Sequence, residues 1–176
     1  MDAHRRARLS RALLLALALT LAPAAVAADP PPSIPTSPAL TALDPATGAP
    51  VALDPAQGPM HVVFIATWCR PCLAELPKLA DLEERWKPDG YRLFVVAVPT
   101  RQSADRLREL TAQGPVPGHL LFDSGGAVAA AFGAATIPMH ALVDRQGHIV
   151  ARSGVLDPAF HQAVERVVRQ EGRVKP

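Results

Sequence analysis

The chain is 176 residues long, 49% apolar but only 5% aromatic, with 18 basic against 16 acidic side chains and two cysteines. That length makes one domain, and a net charge of +2 without a run of like charges excludes the basic footprint that tracks a phosphate backbone, so no nucleic-acid partner is expected. Two cysteines are too few for a disulfide-dense scaffold, and a chain of this length buries enough surface to fold without one, so the pair calls for another explanation.

At the N-terminus, Arg5, Arg6, Arg8 and Arg11 precede the apolar run Ala12–Ala22, and Ala25-Val26-Ala27-Ala28 follows. This is the charged, apolar and small-residue order of a secretory signal. The apolar run is about half of the roughly 20 residues that a spanning helix needs, so cleavage near Ala28 is expected, with retention as a membrane anchor the alternative. Removing residues 1–28 takes away four arginines and Asp2, leaving 14 basic and 15 acidic side chains and a net charge of −1. The expected location is periplasmic.

Residues 29–38, Asp-Pro-Pro-Pro-Ser-Ile-Pro-Thr-Ser-Pro, read as an extended tether, too proline-rich to pair into a sheet, leaving 39–176 for the folded domain. Ala42-Leu-Asp-Pro-Ala-Thr-Gly48 then recurs as Ala52-Leu-Asp-Pro-Ala-Gln-Gly58, and Asp-Pro followed by Gly is turn chemistry. The repeat predicts two short strands forming an edge hairpin.

His61–Thr67 is a β-branched and aromatic run that predicts a central strand buried on both faces. A helix is expected from Arg70 to Trp86, a second buried strand over Tyr91–Val98, and a helix capped by Ser103 running to Gln113. Leu120–Asp123 reads as a short strand and Gly126–Phe132 as a Gly/Ala-rich helix, with Ala127–Ala135 taken as close packing. Met139–Asp144 and His148–Arg152 flank Arg145-Gln146-Gly147 as a hairpin. Asp157-Pro158 starts a terminal helix carrying Phe160, Val164, Val167 and Val168. Alternation followed by a hairpin predicts the α/β class, a mixed central sheet flanked by helices. Arg101, Arg106 and Arg108 read as a solvated helix face.

The chemistry sits at Trp68-Cys69-Arg70-Pro71-Cys72, where a buried strand gives way to a helix. Two intervening residues let the thiols close a small ring at a helix start, where unpaired N–H groups and the helix dipole favour a thiolate on the first cysteine. Pro71 is tolerated there because first-turn N–H groups lack helical partners, and Arg70 adds positive charge. Half of a zinc site and a static disulfide are the plainer readings. Zinc needs about four ligands, and the remaining histidines show no metal-binding spacing. A ring this small constrains an unfolded chain less than a long loop does. Redox chemistry is the reading preferred, and no Pro-x-x-x-Thr-x-x-Cys of a peroxidase surrounds Cys69. Trp68 reads as a shield or a substrate contact beside the pair, with a packed aromatic the plainer alternative.

On a helix at 100° per residue, Cys72, Glu75, Leu76, Leu79, Leu82 and Trp86 share a face, which predicts a buried Glu75 one turn from Cys72 rather than a solvated one paired with Lys78. Pro77 is expected to kink that helix and disturb the phase. A desolvated carboxyl tends to hold its proton nearer neutrality, which suits a group exchanging a proton with the Cys72 thiol. Pro138, entering an apolar strand after Ile137, reads as an edge, a bulge or a cis-proline.

Taken together, Phe64-Ile-Ala-Thr-Trp-Cys-Arg-Pro-Cys72, Glu75, Pro77, Ile137-Pro138 and Leu142-Val-Asp-Arg-Gln-Gly147 resemble the exported thioredoxin-like proteins of the TlpA and ResA group over about residues 39–170. The resemblance implies a thioredoxin fold with an N-terminal hairpin and a strand-helix insert over Leu120–Phe132. It implies Cys69 as the exposed nucleophile, Cys72 as the buried resolving thiol and Glu75 as the nearby acid. Pro138 would be a cis-proline against the disulfide, with the Ile137 backbone open to a substrate strand and Trp68, Arg70 and Pro71 around it. Met139-His140 stands where the family usually has threonines, which places His140 near the cleft.

The expected activity is thiol–disulfide exchange in the reducing direction on an exported client protein, such as a cytochrome c precursor or a copper-site thiol pair. It needs no cofactor beyond the redox-active Cys69–Cys72 disulfide. A membrane electron-transfer protein would supply the electrons, and the protein is expected to be a monomer. The alternatives are a disulfide oxidase and a non-enzymatic Cu(I) metallochaperone using Cys69, Cys72 and Met139 or His140.

Overall fold

The computed structural model describes residues 32–34 and 40–171; the expected export signal lies outside the described residues. The period-ten repeat becomes β1 (Leu40–Leu43) and β2 (Pro50–Leu53), paired antiparallel from Leu40↔Leu53 to Leu43↔Pro50. Both copies stop the same way: Asp44 Oδ1 accepts the N–H of Ala46 at 2.7 Å, and Asp54 Oδ1 that of Ala56 at 3.0 Å. An aspartate bonded to the backbone two residues on ends a strand by offering a turn instead.

β3 (Met60–Ile65) is buried at every position. It lies between β4 (Arg92–Ala97), which runs parallel to it, and β6 (Met139–Val143), which runs antiparallel. β5 (His119–Phe122) continues the parallel side and meets β1 at Leu43↔Phe122, while β7 (Ile149–Ser153) forms the other edge. The seven strands stand in the order β2-β1-β5-β4-β3-β6-β7.

Among the described residues four α-helices cover the sheet: α1 (Arg70–Trp86), α2 (Ala104–Gln113), α3 (Ala127–Ala131) and α4 (Pro158–Glu171). Side chains alternate along β3, so Phe64 and His61 face opposite ways. Phe64 meets Phe132, just after α3, with ring centroids 5.4 Å apart, and His61 meets Phe160 of α4 at 4.8 Å, so both faces are packed. On α1 the buried positions are Cys72, Glu75, Leu79, Leu82 and Trp86. The stripe keeps its phase across Pro77, contrary to expectation, because Pro77 sits on the exposed side of the helix. Among the described residues, no helix is long and apolar enough to cross a membrane.

Residues 32–34 of the proline-rich stretch, the part that is described, depart from its reading as an unpaired tether. Ser33 forms an antiparallel bridge with His148, Ile34 N–H donates to Gly147 O at 2.9 Å, and Ile149 N–H donates to Pro32 O at 2.8 Å. Ser33 and Ile34 carry N–H groups that the prolines lack, and Ile34 buries its side chain in the core.

Candidate active site

Cys69 is the N-cap of α1, in extended conformation, with its N–H donated to Ala66 O at 3.0 Å and its carbonyl accepting from Leu73 N at 3.1 Å. Its Sγ accepts the N–H of Cys72 at 3.3 Å, in the place that a serine or aspartate oxygen ordinarily fills. Cys69 and Cys72 are joined as a disulfide, with Cα atoms 5.3 Å apart. A charge left on Cys69 Sγ after reduction would face the first-turn N–H groups and the positive end of the helix. Pro71 occupies the first turn, and Arg70 is exposed beside it. The exposed nucleophile implied by the resemblance is nearly covered: Cys69 is 6% exposed and Cys72 1%. The N-cap position turns the sulfur back toward the helix, although Cys69 stays the more accessible of the two.

Glu75 is 9% exposed, and its partner is not Lys78. Its Oε1 accepts the N–H of Leu156 at 2.8 Å, and its Oε2 lies 2.9 Å from His140 Nε2. His140 Nδ1 is 3.0 Å from His61 Nε2, and His61 Nδ1 is 2.6 Å from the Tyr91 hydroxyl. The strand register causes this meeting. Val63 pairs with His140 and His61 with Leu142, so the two histidines are diagonal neighbours on one face of an antiparallel pair, within reach of ring side chains. His140, expected near the cleft, is instead fully buried, because the register turns it inward beneath α1 and α4. Both of its ring nitrogens are occupied, which removes it from the Cu(I) ligand set considered above.

Burial lowers the pKa of both rings. His61 is held well below the usual histidine value by desolvation first, and by His140 and His161 second. His140 is lowered by desolvation, against which the hydrogen bond and charge of Glu75 work. Tyr91 is pushed well above its usual value by burial and by Glu83, so it keeps its proton. Sequence reading missed His61 and Tyr91 as part of the site. The available signal was a lone histidine inside each of two apolar strand runs, His61-Val-Val-Phe-Ile and Ile-Pro-Met-His140-Ala-Leu-Val.

An open groove of about 800 Å³ is lined by Trp68, the neighbour of Cys69 in the chain, with Pro99, Thr100, Ala130, Gly133 and Ile137. Trp68 is 40% exposed, and its Nε1 donates to Thr100 O at 2.8 Å. The Ile137–Pro138 peptide bond is cis, and both residues are half-buried. The run Ala127–Ala135, taken from sequence as close packing, supplies much of the groove wall, since its small side chains leave room that Leu or Phe would fill. Arg101 also departs from its reading as part of a helix face. It precedes α2 at φ 52° and places its guanidinium 4.5 Å from the Trp68 ring centroid. Arg106 then donates to Arg101 O at 3.0 Å, and Arg108 reaches Pro45 O at 2.7 Å.

The AhpC/TSA family pattern matches residues 36–152, about two thirds of the chain. The chain belongs to the AhpC/TSA family. It is a thioredoxin-like thiol–disulfide oxidoreductase. Solved structures of the same fold include a protein described as the thiol:disulfide interchange protein DsbE from Chlorobium tepidum, 21% identical, covering 80% of this chain and 97% of that one with a TM-score of 0.65. A protein described as a thioredoxin from Neisseria meningitidis is 25% identical, with coverages of 78% and 91% and a TM-score of 0.65. StoA from Bacillus subtilis is 20% identical, with coverages of 74% and 99% and a TM-score of 0.62. No curated protein sequence matches the chain significantly.

Proposed function

We propose that this family member reduces disulfides in exported client proteins, with Cys69 as nucleophile, Cys72 as resolving thiol and Glu75 as proton acceptor. The observation that carries the reading is Cys69 Sγ held at the N-cap of α1 and bonded to Cys72, next in the chain to Trp68, which lines an open apolar groove. In the reduced protein the Cys69 thiolate attacks a client disulfide, forming a mixed disulfide and releasing one client thiolate. Glu75 takes the proton of Cys72, whose thiolate then attacks Cys69 Sγ and releases the second client sulfur. The client gains two electrons, and the protein is left with the Cys69–Cys72 disulfide. That disulfide is the whole redox equipment and needs no cofactor.

Trp68, Arg70, Pro71 and Ile137 border the groove or the pair and are assigned to client binding, with the backbone ahead of Pro138 pairing with an extended client segment. Cytochrome c maturation and copper-site assembly are the client classes in view, in the periplasm, with a membrane electron-transfer protein as reductant and the enzyme acting as a monomer. The signal-like N-terminus supports export. Cys72→Ser is expected to trap a mixed disulfide through Cys69, identifiable by mass spectrometry of the captured client; no trapped partner from an exporting cell would overturn the reading. A reduction potential near −120 mV, the oxidising end of the known range, would reverse the proposed direction.

A further inference from the structure

The Glu75 carboxylate is the last member of a row of four buried groups drawn from three elements and one loop: Tyr91 before β4, His61 on β3, His140 on β6 and Glu75 on α1. We propose that His61 and His140 are positioning residues of the exchange reaction, a one-way hydrogen-bonded row from Tyr91 that holds Glu75 as an oriented carboxylate ready to accept the proton of Cys72. The proposal rests on the role given to Glu75 above.

The direction follows from counting protons. A neutral imidazole has one N–H and one bare nitrogen, so each ring donates on one side and accepts on the other. If Glu75 is a carboxylate, His140 donates Nε2–H to Oε2 and its Nδ1 must accept. His61 must then donate Nε2–H to it, leaving His61 Nδ1 to accept from the Tyr91 hydroxyl. With Glu75 charged, every hydrogen bond in the row is satisfied in that one arrangement, with Leu156 N–H holding the other carboxylate oxygen, whereas the reverse order from a protonated Glu75 would leave the buried Tyr91 O–H without an acceptor among the described residues. A histidine held in one tautomer by the group behind it, so that it orients the group in front, is the logic by which outer partners tune a reactive centre.

The far end of the row is buried among the described residues. Tyr91 is 2% exposed and retains its proton, and Phe160 of α4 closes over both imidazoles, at 4.8 Å from His61 and 5.5 Å from His140. The row therefore orients and holds; it does not carry protons to solvent. Other titratable groups acting on it are Asp157, just before α4, His161 of α4 and Glu83 of α1. Asp157 favours a charged His140 and His161 disfavours it, which leaves desolvation to keep the ring neutral.

Two measurements test this. The first reacts the full-length reduced protein with oxidised glutathione by stopped flow from pH 4.5 to 9, separating attack by Cys69 from resolution by Cys72. His140→Leu is expected to slow resolution at neutral pH by about 10–100-fold, the range for loss of an outer partner, and to move the pH midpoint of that phase. His140→Gln, which keeps an N–H toward Glu75, is expected to restore most of the rate, and Tyr91→Phe, which frees His61 to change tautomer, to give a smaller loss. An unchanged resolution rate and pH midpoint in folded His140→Leu, or in Tyr91→Phe should His140→Leu not fold, would overturn the proposal. If the wild-type protein shows no exchange at all, it is the function reading that fails. The second measurement, nitrogen-15 NMR of the histidine rings in the oxidised protein, needs no activity: both rings are expected as neutral Nε2–H tautomers, and an Nδ1–H or doubly protonated His140 contradicts the row.

Discussion

Acidifying the protein from pH 7.5 to 5.5 is expected to weaken the fold through His61 and His140. Both are fully buried, and both have pKa values lowered in the folded state, by desolvation above all. In the unfolded chain each takes up a proton near pH 6.5, so below that pH the unfolded state binds more protons and stability falls as the pH falls. The contribution is whole above about pH 6.5 and declines toward the folded values, at a limiting slope of about 1.4 kcal/mol per pH unit for each ring. At pH 5.5 that limit is about 1.4 kcal/mol from His61, with less from His140, whose hydrogen bond to Glu75 favours the charged ring. Glu171 works the other way: burial raises its pKa, so acidification returns some stability there. A net loss of about 1–2 kcal/mol is a large share of the roughly 5–15 kcal/mol that holds a typical domain together. Urea unfolding of the oxidised protein at half-unit pH steps measures it, as a midpoint falling by about 0.5–1 M with constant slope. In His61→Leu the pH dependence should shrink by up to one proton, although the variant is weaker at neutral pH. An equal midpoint at pH 7.5 and 5.5 in the wild type, or the same pH dependence in His61→Leu, would refute the reasoning.

Two further outcomes are expected. Gly118→Ala should lower the urea midpoint by the equivalent of more than about 1 kcal/mol in stability, because Gly118 has φ 65° and a Cβ there would overlap the backbone oxygen of Leu93. Trp68→Ala should leave the rate with a small disulfide nearly unchanged and reduce the rate with a client-derived peptide disulfide by about tenfold, equivalent to about 1.4 kcal/mol of binding. Equal losses on both substrates would show that Trp68 supports the cysteine pair and not the groove.

Local chemistry was legible along the chain. The bounds of α1, Arg70–Trp86, follow from a cysteine cap, a first-turn proline and a repeating apolar stripe, and Ser103 caps α2 as read, accepting Arg106 N–H at 3.3 Å. Burial of Glu75 was also within reach, since helical spacing alone puts it on the face of Cys72 and Leu79. The docking of Ile34 was hidden because its partner, the turn before β7, lies more than a hundred residues away.

The sequence by itself thus determined where the cysteine pair stands, at the junction of a buried strand and a helix, and which way Glu75 faces, because both depend on intervals of a few residues. What Glu75 meets was decided only by the tertiary structure. Period and propensity say which face a side chain takes but not which strand lies beside it or in what register. His61 and His140, 79 positions apart, become neighbours only through the pairing of β3 with β6. The same long-range packing turned an alanine-rich run into the wall of a groove and placed His140 in the core instead of the cleft.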